Sequence, residues 1–337
     1  VAKGQQNILV TGGAGYIGSH AVRRLIEKGY KVTVVDNLCH GHQAAVDKRA
    51  NFYQIDIRET GALVQIMREN AIDAVMHFAA YIEVGESQEN PLKYYDNNLV
   101  GGISLLKAVH EAGVGKFVFS STAAVYGNPS YTPIDESHPR LPINTYGHTK
   151  NMMETVLMDC CRSYNLSCIV FRYFNVAGAS PDGTLGEDHE PESHLIPRVL
   201  AAAEAGTEVS VYGNDYPTPD GSCVRDYIHV VDLVDAHILA LECLQPGAPR
   251  IFNLGSESGY SVFEVLDTCR KVLNKEIRVM VQPRRAGDPP VLIAKNEKAR
   301  ELLQWKPQFG SLIDILSHAW QWHKTHPQGY RSSKDLK

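Results

Sequence analysis

No apolar stretch in these 337 residues reaches the ~18 needed to cross a bilayer, so no membrane partner is expected. A long basic run is also lacking, and 33 Lys and Arg against 38 Asp and Glu leave a net charge of −5. Nucleic acid is therefore not an expected partner. The seven cysteines (Cys39, Cys160, Cys161, Cys168, Cys223, Cys243 and Cys269) are odd in number and contain no C-x-x-C pair. They read as reduced thiols. Residues 1–6 have no apolar h-region, so no signal peptide is expected, and the cytoplasm is the expected compartment. There is no internal repeat and no low-complexity tract.

What is present is an ordinary globular composition, 44% hydrophobic and 21% charged. The length exceeds what one core usually serves, which predicts a large domain with a smaller partner. The first half alternates strand and helix signals. Predicted strands are 7–11, 31–35, 52–57, 74–78, 116–120 and 168–173, with helical patterns at 17–28, 99–112 and 150–164 among them. Continuous apolar strands alternating with helices predict an α/β fold, a doubly wound parallel (Rossmann) sheet covered on both faces.

After Asn175 the chain becomes rich in turns at 178–191 and 213–222, with short predicted elements at 195–205, 262–273 and 277–281. The expected division gives 1–175, joined by 226–245, to a dinucleotide domain. Residues 176–225 and 246–330 form a smaller α+β substrate domain, and 331–337 a polar tail.

Gly12, Gly15 and Gly18, spaced G-x-x-G-x-x-G, lie between the first strand and the first helix. Such glycines permit a tight turn, close approach of backbone to pyrophosphate, and close packing of helix on strand. The helix N-terminus then presents N–H groups to the phosphates. The second strand ends at Asp36, 18 residues past Gly18. A carboxylate there accepts from ribose hydroxyls and repels a 2′-phosphate, which favours NAD over NADP. Asp56-Ile57 is read as the end of the third strand, where Asp56 faces the adenine or is simply a solvated acid.

Tyr146 and Lys150 stand at i, i+4 at the start of a helix, on one face. A free phenol, with a pKa near ~10, is a poor base at neutral pH. A neighbouring ammonium and a positive nicotinamide ring would favour its phenolate. Ser120-Ser121-Thr122 ends a strand 24 residues earlier, with the last hydroxyl placed to meet the same substrate oxygen.

Taken together, TGGAGYIGSH (11–20), VVDNL (34–38), HFAA (77–80), VGES (84–87), YYDNN (94–98), FSSTAAVYG (119–127), YGHTK (146–150), RYFNVAGA (172–179), VRDYIHVVDL (224–233), PRRAGD (283–288) and HPQGY (326–330) resemble the UDP-hexose 4-epimerases of the extended short-chain dehydrogenase/reductases. The resemblance runs from about residue 7 to 330. It implies reversible C4 epimerisation of UDP-glucose and UDP-galactose through a 4-keto sugar, with hydride lent to tightly bound NAD and returned. It also implies Tyr146 as base, Lys150 as its tuning partner and Thr122 as the hydroxyl at O4, where many members have Ser. NAD would touch Gly12, Gly15, Tyr16, Ile17, Gly18, Asp36, Asn37, Leu38, Asp56, Ile57, Phe78, Ala79, Ala80, Asn97, Ser120, Tyr146, Lys150 and Phe174. The UDP-sugar would meet Thr122, Asn175, His194, Leu195, Tyr212, Arg225, Arg285, Asp288 and Leu292. For Arg225 and Arg285, a surface charge or a salt bridge to Asp226 or Asp288 is the competing reading.

The chain departs from the family pattern in two places. Ile82 stands where some members have a Lys near NAD, and Ser193-His194 replaces an Asn pair. Among rival readings, a nucleotide-sugar 4,6-dehydratase needs an acid pair after the strand-end Thr, where this chain has Ala123-Ala124. UDP-N-acetylhexose or UDP-xylose/UDP-arabinose epimerisation stays open, since Leu292 aligns with a gating position that is Tyr in strict hexose enzymes. A non-catalytic NAD sensor would have no use for Tyr146, Lys150 and Thr122. No metal site is expected. His189-Glu190 and His194 lack zincin spacing, Pro191 breaks a helix there, and His40, His42 and His77 have no ligand constellation. A homodimer built on the 99–112 and 150–164 helices is expected, with sheet-covering core helices as the equal alternative.

Overall fold

The structure is a computed structural model that describes residues 6–245, 249–285 and 287–331. Short β-branched and aromatic runs become strands β1 (Asn7–Thr11), β2 (Lys31–Asp36), β3 (Asn51–Gln54), β4 (Ala74–His77), β5 (Lys116–Thr122) and β6 (Ser167–Tyr173). Among them run α1 (Tyr16–Glu27), α2 (Thr60–Glu69), α3 (Val84–Glu89), α4 (Pro91–Tyr94), α5 (Gly101–Ala112) and α6 (Thr145–Tyr164). The second half supplies β7 (Asn175–Ala177), α7 (Leu195–Ala205), β8 (Glu208–Tyr212), β9 (Val224–His229), α8 (Val230–Cys243) and β10 (Arg250–Leu254). It ends with β11 (Gly259–Ser261), α9 (Val262–Leu273), β12 (Arg278–Gln282), β13 (Val291–Leu292), α10 (Glu297–Leu303) and α11 (Leu312–Thr325).

Seven parallel strands form one sheet in the order β10-β6-β5-β4-β1-β2-β3. The winding reverses between β1 and β4, and in such sheets the ligand crevice opens at that reversal, beyond the carboxyl ends of the strands. Alternate residues feed opposite faces. Ile8, Val10, Val118, Ile169 and Phe171 pack on the α1 and α8 side, while Leu9, Phe117, Phe119 and Val170 pack beneath α2, α5 and α6. A second core lies between α7, α9 and α11. Beside it are the pair β12-β8 and the set β11-β9-β13, with β7 parallel to β9.

Four features differ from the sequence expectation. Arg250–Leu254, assigned to the smaller unit, pairs in parallel with β6 and forms the edge of the large sheet, with Phe252 and Leu254 fully buried. Strand β3 stops at Gln54, so Asp56 lies past the strand in a turn where its carboxylate accepts from the Arg58 N–H at 2.9 Å. Helix α6 begins at Thr145, because the Asn144 side chain caps the Gly147 N–H at 2.8 Å. A π-helical turn, Tyr95–Val100, precedes α5. Of the polar tail, 332–337 lie outside the described residues.

Candidate active site

β1 delivers the chain to Gly12, whose φ of +74° is left-handed and where a Cβ would lie 2.5 Å from Ala79 N. A Cβ on Gly18 would lie 2.0 Å from Gly12 O, so α1 rests directly on the turn. Gly15 is a different case. Its Cβ would meet only Gly12 O, at 3.4 Å, so the protein's own packing makes no demand for glycine there. The space over Gly15, at an α1 N-terminus without a side-chain cap, suits a pyrophosphate.

Asp36 sits over this turn, its carboxylate accepting from Ala14 N at 3.0 Å and Leu38 N at 2.8 Å. Burial pushes its pKa up, against those two hydrogen bonds. Leu38 itself has φ +61°, a strained value for a residue with a branched side chain. Asn37 donates to Asp56 at 2.9 Å, and Arg58 grips the same carboxylate and holds it well below the usual range. Ile57 is core, packed beneath Gly101. Tyr16 is buried and donates to Gly178 O at 2.7 Å, while Ile17 packs at the edge of the α1-side core. Phe78, Ala79 and Ala80 follow β4; the Phe78 ring lies 5.0 Å from that of His237. Asn97, on the π-helical turn, donates to Asn98 at 3.0 Å, and Asn98 is itself tied to Tyr81 and Thr149. π-helical turns recur at functional sites.

The proton-transfer residues converge from β5 and α6. Thr122 closes β5, where its hydroxyl accepts from the Ala124 N–H at 3.1 Å and lies near enough to the Tyr146 phenol to favour its ionised form. Tyr146 lies in the first turn of α6 and is almost wholly buried. One turn on, Lys150 donates to Ser120 O at 2.9 Å. Burial pushes the phenol up to about 12, with the nearby Thr122 hydroxyl pulling down and Glu83 adding to the rise. Burial pushes Lys150 down to about 7, opposed by Glu154.

Glu154 was missed in the sequence, although it lies four residues past Lys150 on the same helical face. It is fully buried and takes Arg172 at 2.6 Å, Arg140 at 3.1 Å and the Ser121 hydroxyl at 2.5 Å. The Ser87 hydroxyl, also missed, accepts from Tyr146 N at 3.2 Å.

On the substrate side, β9 is the organiser. Its Arg225 lies opposite Leu292 of β13, and its Tyr227 opposite Asn175 of β7. Leu292 packs against a buried cluster that includes Phe174 and Ala123, the latter next in sequence to Thr122. Arg225 is ion-paired with Asp288, the arrangement weighed against a diphosphate role in the sequence. The Arg285 guanidinium lies 4.0 Å from the centre of the Tyr212 ring. His194 precedes α7, Leu195 begins it, and the His194 Nδ1 is 2.6 Å from Glu187 Oε1. Helical spacing argued against metal ligands in this loop, yet ligand atoms of Glu187, His189, Glu192 and His194 all lie within 4.8 Å of one another.

Comparisons with known proteins agree in direction. A UDP-glucose 4-epimerase of Lacticaseibacillus casei is 52% identical over 325 residues, covering 96% of this chain and 98% of the relative. The crystal structure of the UDP-glucose 4-epimerase from Bifidobacterium longum, in complex with NAD+ and UDP, superposes with a TM-score of 0.92 at 38% identity, covering 96% of this chain and all of that one. The UDP-Glc/GlcNAc 4-epimerase of Campylobacter jejuni gives 0.82 at 41%, covering 95% and 99%. The family model described as "NAD dependent epimerase/dehydratase family" matches residues 8–255. The chain belongs to the NAD dependent epimerase/dehydratase family.

Proposed function

We propose that this chain epimerises UDP-glucose and UDP-galactose at C4, and accepts UDP-N-acetylglucosamine and UDP-N-acetylgalactosamine as well. The observation that carries the reading is the convergence of Thr122 on the buried Tyr146 phenol, with Lys150 one helical turn away and Ala123-Ala124 where a dehydratase needs acids. The Gly15 cradle and Asp36 fit NAD, which when bound supplies a hydride acceptor that is restored within each cycle. Tyr146 takes the proton of the C4 hydroxyl and Thr122 holds O4. Burial keeps the phenol protonated in the protein alone, so that base strength develops only beside a positive charge. Lys150, fixed on Ser120 O, lies where it can hold the nicotinamide ribose. Arg225 and Arg285 serve the diphosphate, Tyr212 the uracil and Asp288 the ribose.

The large sheet with α8 and β10 is the NAD-binding unit in this reading, and the β7, β9 and β13 region with α7 carries the UDP-sugar. Support for a homodimer comes from Leu92, Val100, Met152 and Tyr164, large apolar side chains exposed on or near α4, α5 and α6. No helix among the described residues is long and apolar enough to cross a membrane, and all seven cysteines are free, which supports the cytoplasm. Interconverting these two hexoses is a step of galactose metabolism.

The test is to incubate the purified protein, without added NAD, with UDP-galactose, UDP-N-acetylgalactosamine and UDP-xylose separately. C4 epimers from the first two are expected. Turnover of UDP-xylose alone would overturn the hexose assignment.

A further inference from the structure

The loop between β7 and α7 gathers four ligand-bearing side chains, of which only His194 was expected at the UDP-sugar. Glu187 Oε1 lies 2.6 Å from His194 Nδ1 and 3.3 Å from His189 Nδ1, while Glu192 oxygens lie 3.5 and 3.6 Å from the same two nitrogens. A tetrahedral zinc ion with bonds of about 2.0–2.1 Å holds its donors about 3.3–3.4 Å apart. Three of the four separations are already close to that value. The Glu187–His194 hydrogen bond has to open, and the remaining donor pairs lie within 4.8 Å. His189 Nδ1 is buried in this cluster without a hydrogen-bond partner, and the Glu187 side chain is 6% exposed.

The loop is also held from behind. The Trp322 indole donates to Glu187 O at 3.3 Å, and the Tyr330 hydroxyl bonds both the N–H and the carbonyl of Gly186, at 3.0 and 3.1 Å. Asp188 accepts from Tyr330 N at 2.8 Å. These contacts fix the backbone that carries the donors, and they give the C-terminal HPQGY segment a structural task.

We propose that Glu187, His189, Glu192 and His194 bind one divalent transition-metal ion of the zinc type. Two imidazoles and two carboxylates make a closed four-ligand set, which suits zinc in a structural site. The set does not suit magnesium, which needs octahedral oxygen and keeps its waters. The ion pins the loop that leads into α7 and its Leu195. It also lies beside Tyr16 at the NAD turn, whose ring meets that of His189 edge-on, 6.3 Å between centres. The competing arrangement is a metal-free lattice of two protonated histidines and two carboxylates.

The experiment is zinc titration of the chelator-treated full-length protein carrying NAD, without sugar substrate, with cobalt as a spectroscopic replacement. One zinc per chain is expected, weakened at least about tenfold in both His189→Ala and Glu192→Gln. Cobalt is expected to give the strong visible bands of a tetrahedral ion and no thiolate charge-transfer band. Binding of less than about a tenth of an equivalent overturns the proposal, as does binding unchanged in both variants or a thiolate band pointing to the cysteines. The readout involves no turnover, so its failure leaves the epimerase reading standing.

Discussion

The Lys150 ammonium donates to the main-chain oxygen of Ser120 at 2.9 Å, two residues before Thr122. Together with the Ser121–Glu154 hydrogen bond, this contact ties helix α6 to the end of β5. It holds a buried amine where the proposed hydride transfer would use its charge and where the fold alone does not.

Lys150 therefore costs stability. Its folded pKa of about 7 lies below the ordinary 10.5, so between those values the unfolded chain binds more protons. Stability then rises with pH across that window, and the penalty is present in full below about 7. In NAD-free protein at pH 6.5, Lys150→Met is expected to raise the melting temperature by about 2–4 °C and to flatten the pH dependence from 7 to 10. A lower melting temperature at pH 6.5 would contradict the account.

Tyr146→Phe removes the phenolic oxygen while keeping the ring in its buried slot. Turnover is expected to fall about 10²–10⁴-fold or more, with NAD content per chain unchanged. Acid release and quantitation of NAD, alongside an epimerisation assay, measure both. Retained turnover would remove Tyr146 from its role as base.

The glycine turn separates fold from cofactor. Gly12→Ala places a Cβ 2.5 Å from Ala79 N at a left-handed φ, and is expected to destabilise the protein by several kcal/mol or prevent folding. Gly15→Ala meets no tight contact, so its apoprotein should melt within about a degree of the parent. It should nonetheless bind NAD at least about tenfold more weakly, because the new methyl fills the pyrophosphate cradle. NAD titration by fluorescence distinguishes the two glycines, and a Gly15→Ala protein with parental affinity would place the pyrophosphate elsewhere.

Much of this was legible in the sequence because it depends on local spacing. The strand–glycine–helix order, Asp36 at the end of β2, and the Tyr146–Lys150 pair were each set by residues a few positions apart. What was missed depends on pairing between distant segments. Arg250–Leu254 is a five-residue run whose sheet membership is decided by β6, some 80 residues earlier in the chain. The β3 boundary moved because Arg58 and Asn37 draw Asp56 into a turn, and apolar periodicity does not register that competition. The Glu187–His194 cluster escaped because helical spacing was the criterion, whereas an irregular loop held by Trp322 and Tyr330 brings the four side chains together.

Leu292 sets the width of the sugar pocket in this reading, since it packs against the cluster that holds Phe174 and Ala123 beside Thr122. Leu292→Tyr is expected to lower activity on UDP-N-acetylgalactosamine at least about tenfold while changing that on UDP-galactose by only about two- to threefold. Parallel assays of both substrates decide it; equal N-acetyl activity in the two proteins would sink the gating role.

The central claim is that one hydride leaves C4 and returns to it without escaping the protein. The direct measurement follows UDP-galactose deuterated at C4, incubated with the purified chain in ordinary water without added NAD. The account predicts UDP-glucose with the deuterium fully retained at C4. Loss of the label to solvent, or turnover only when fresh NAD is supplied in stoichiometric amounts, would contradict it.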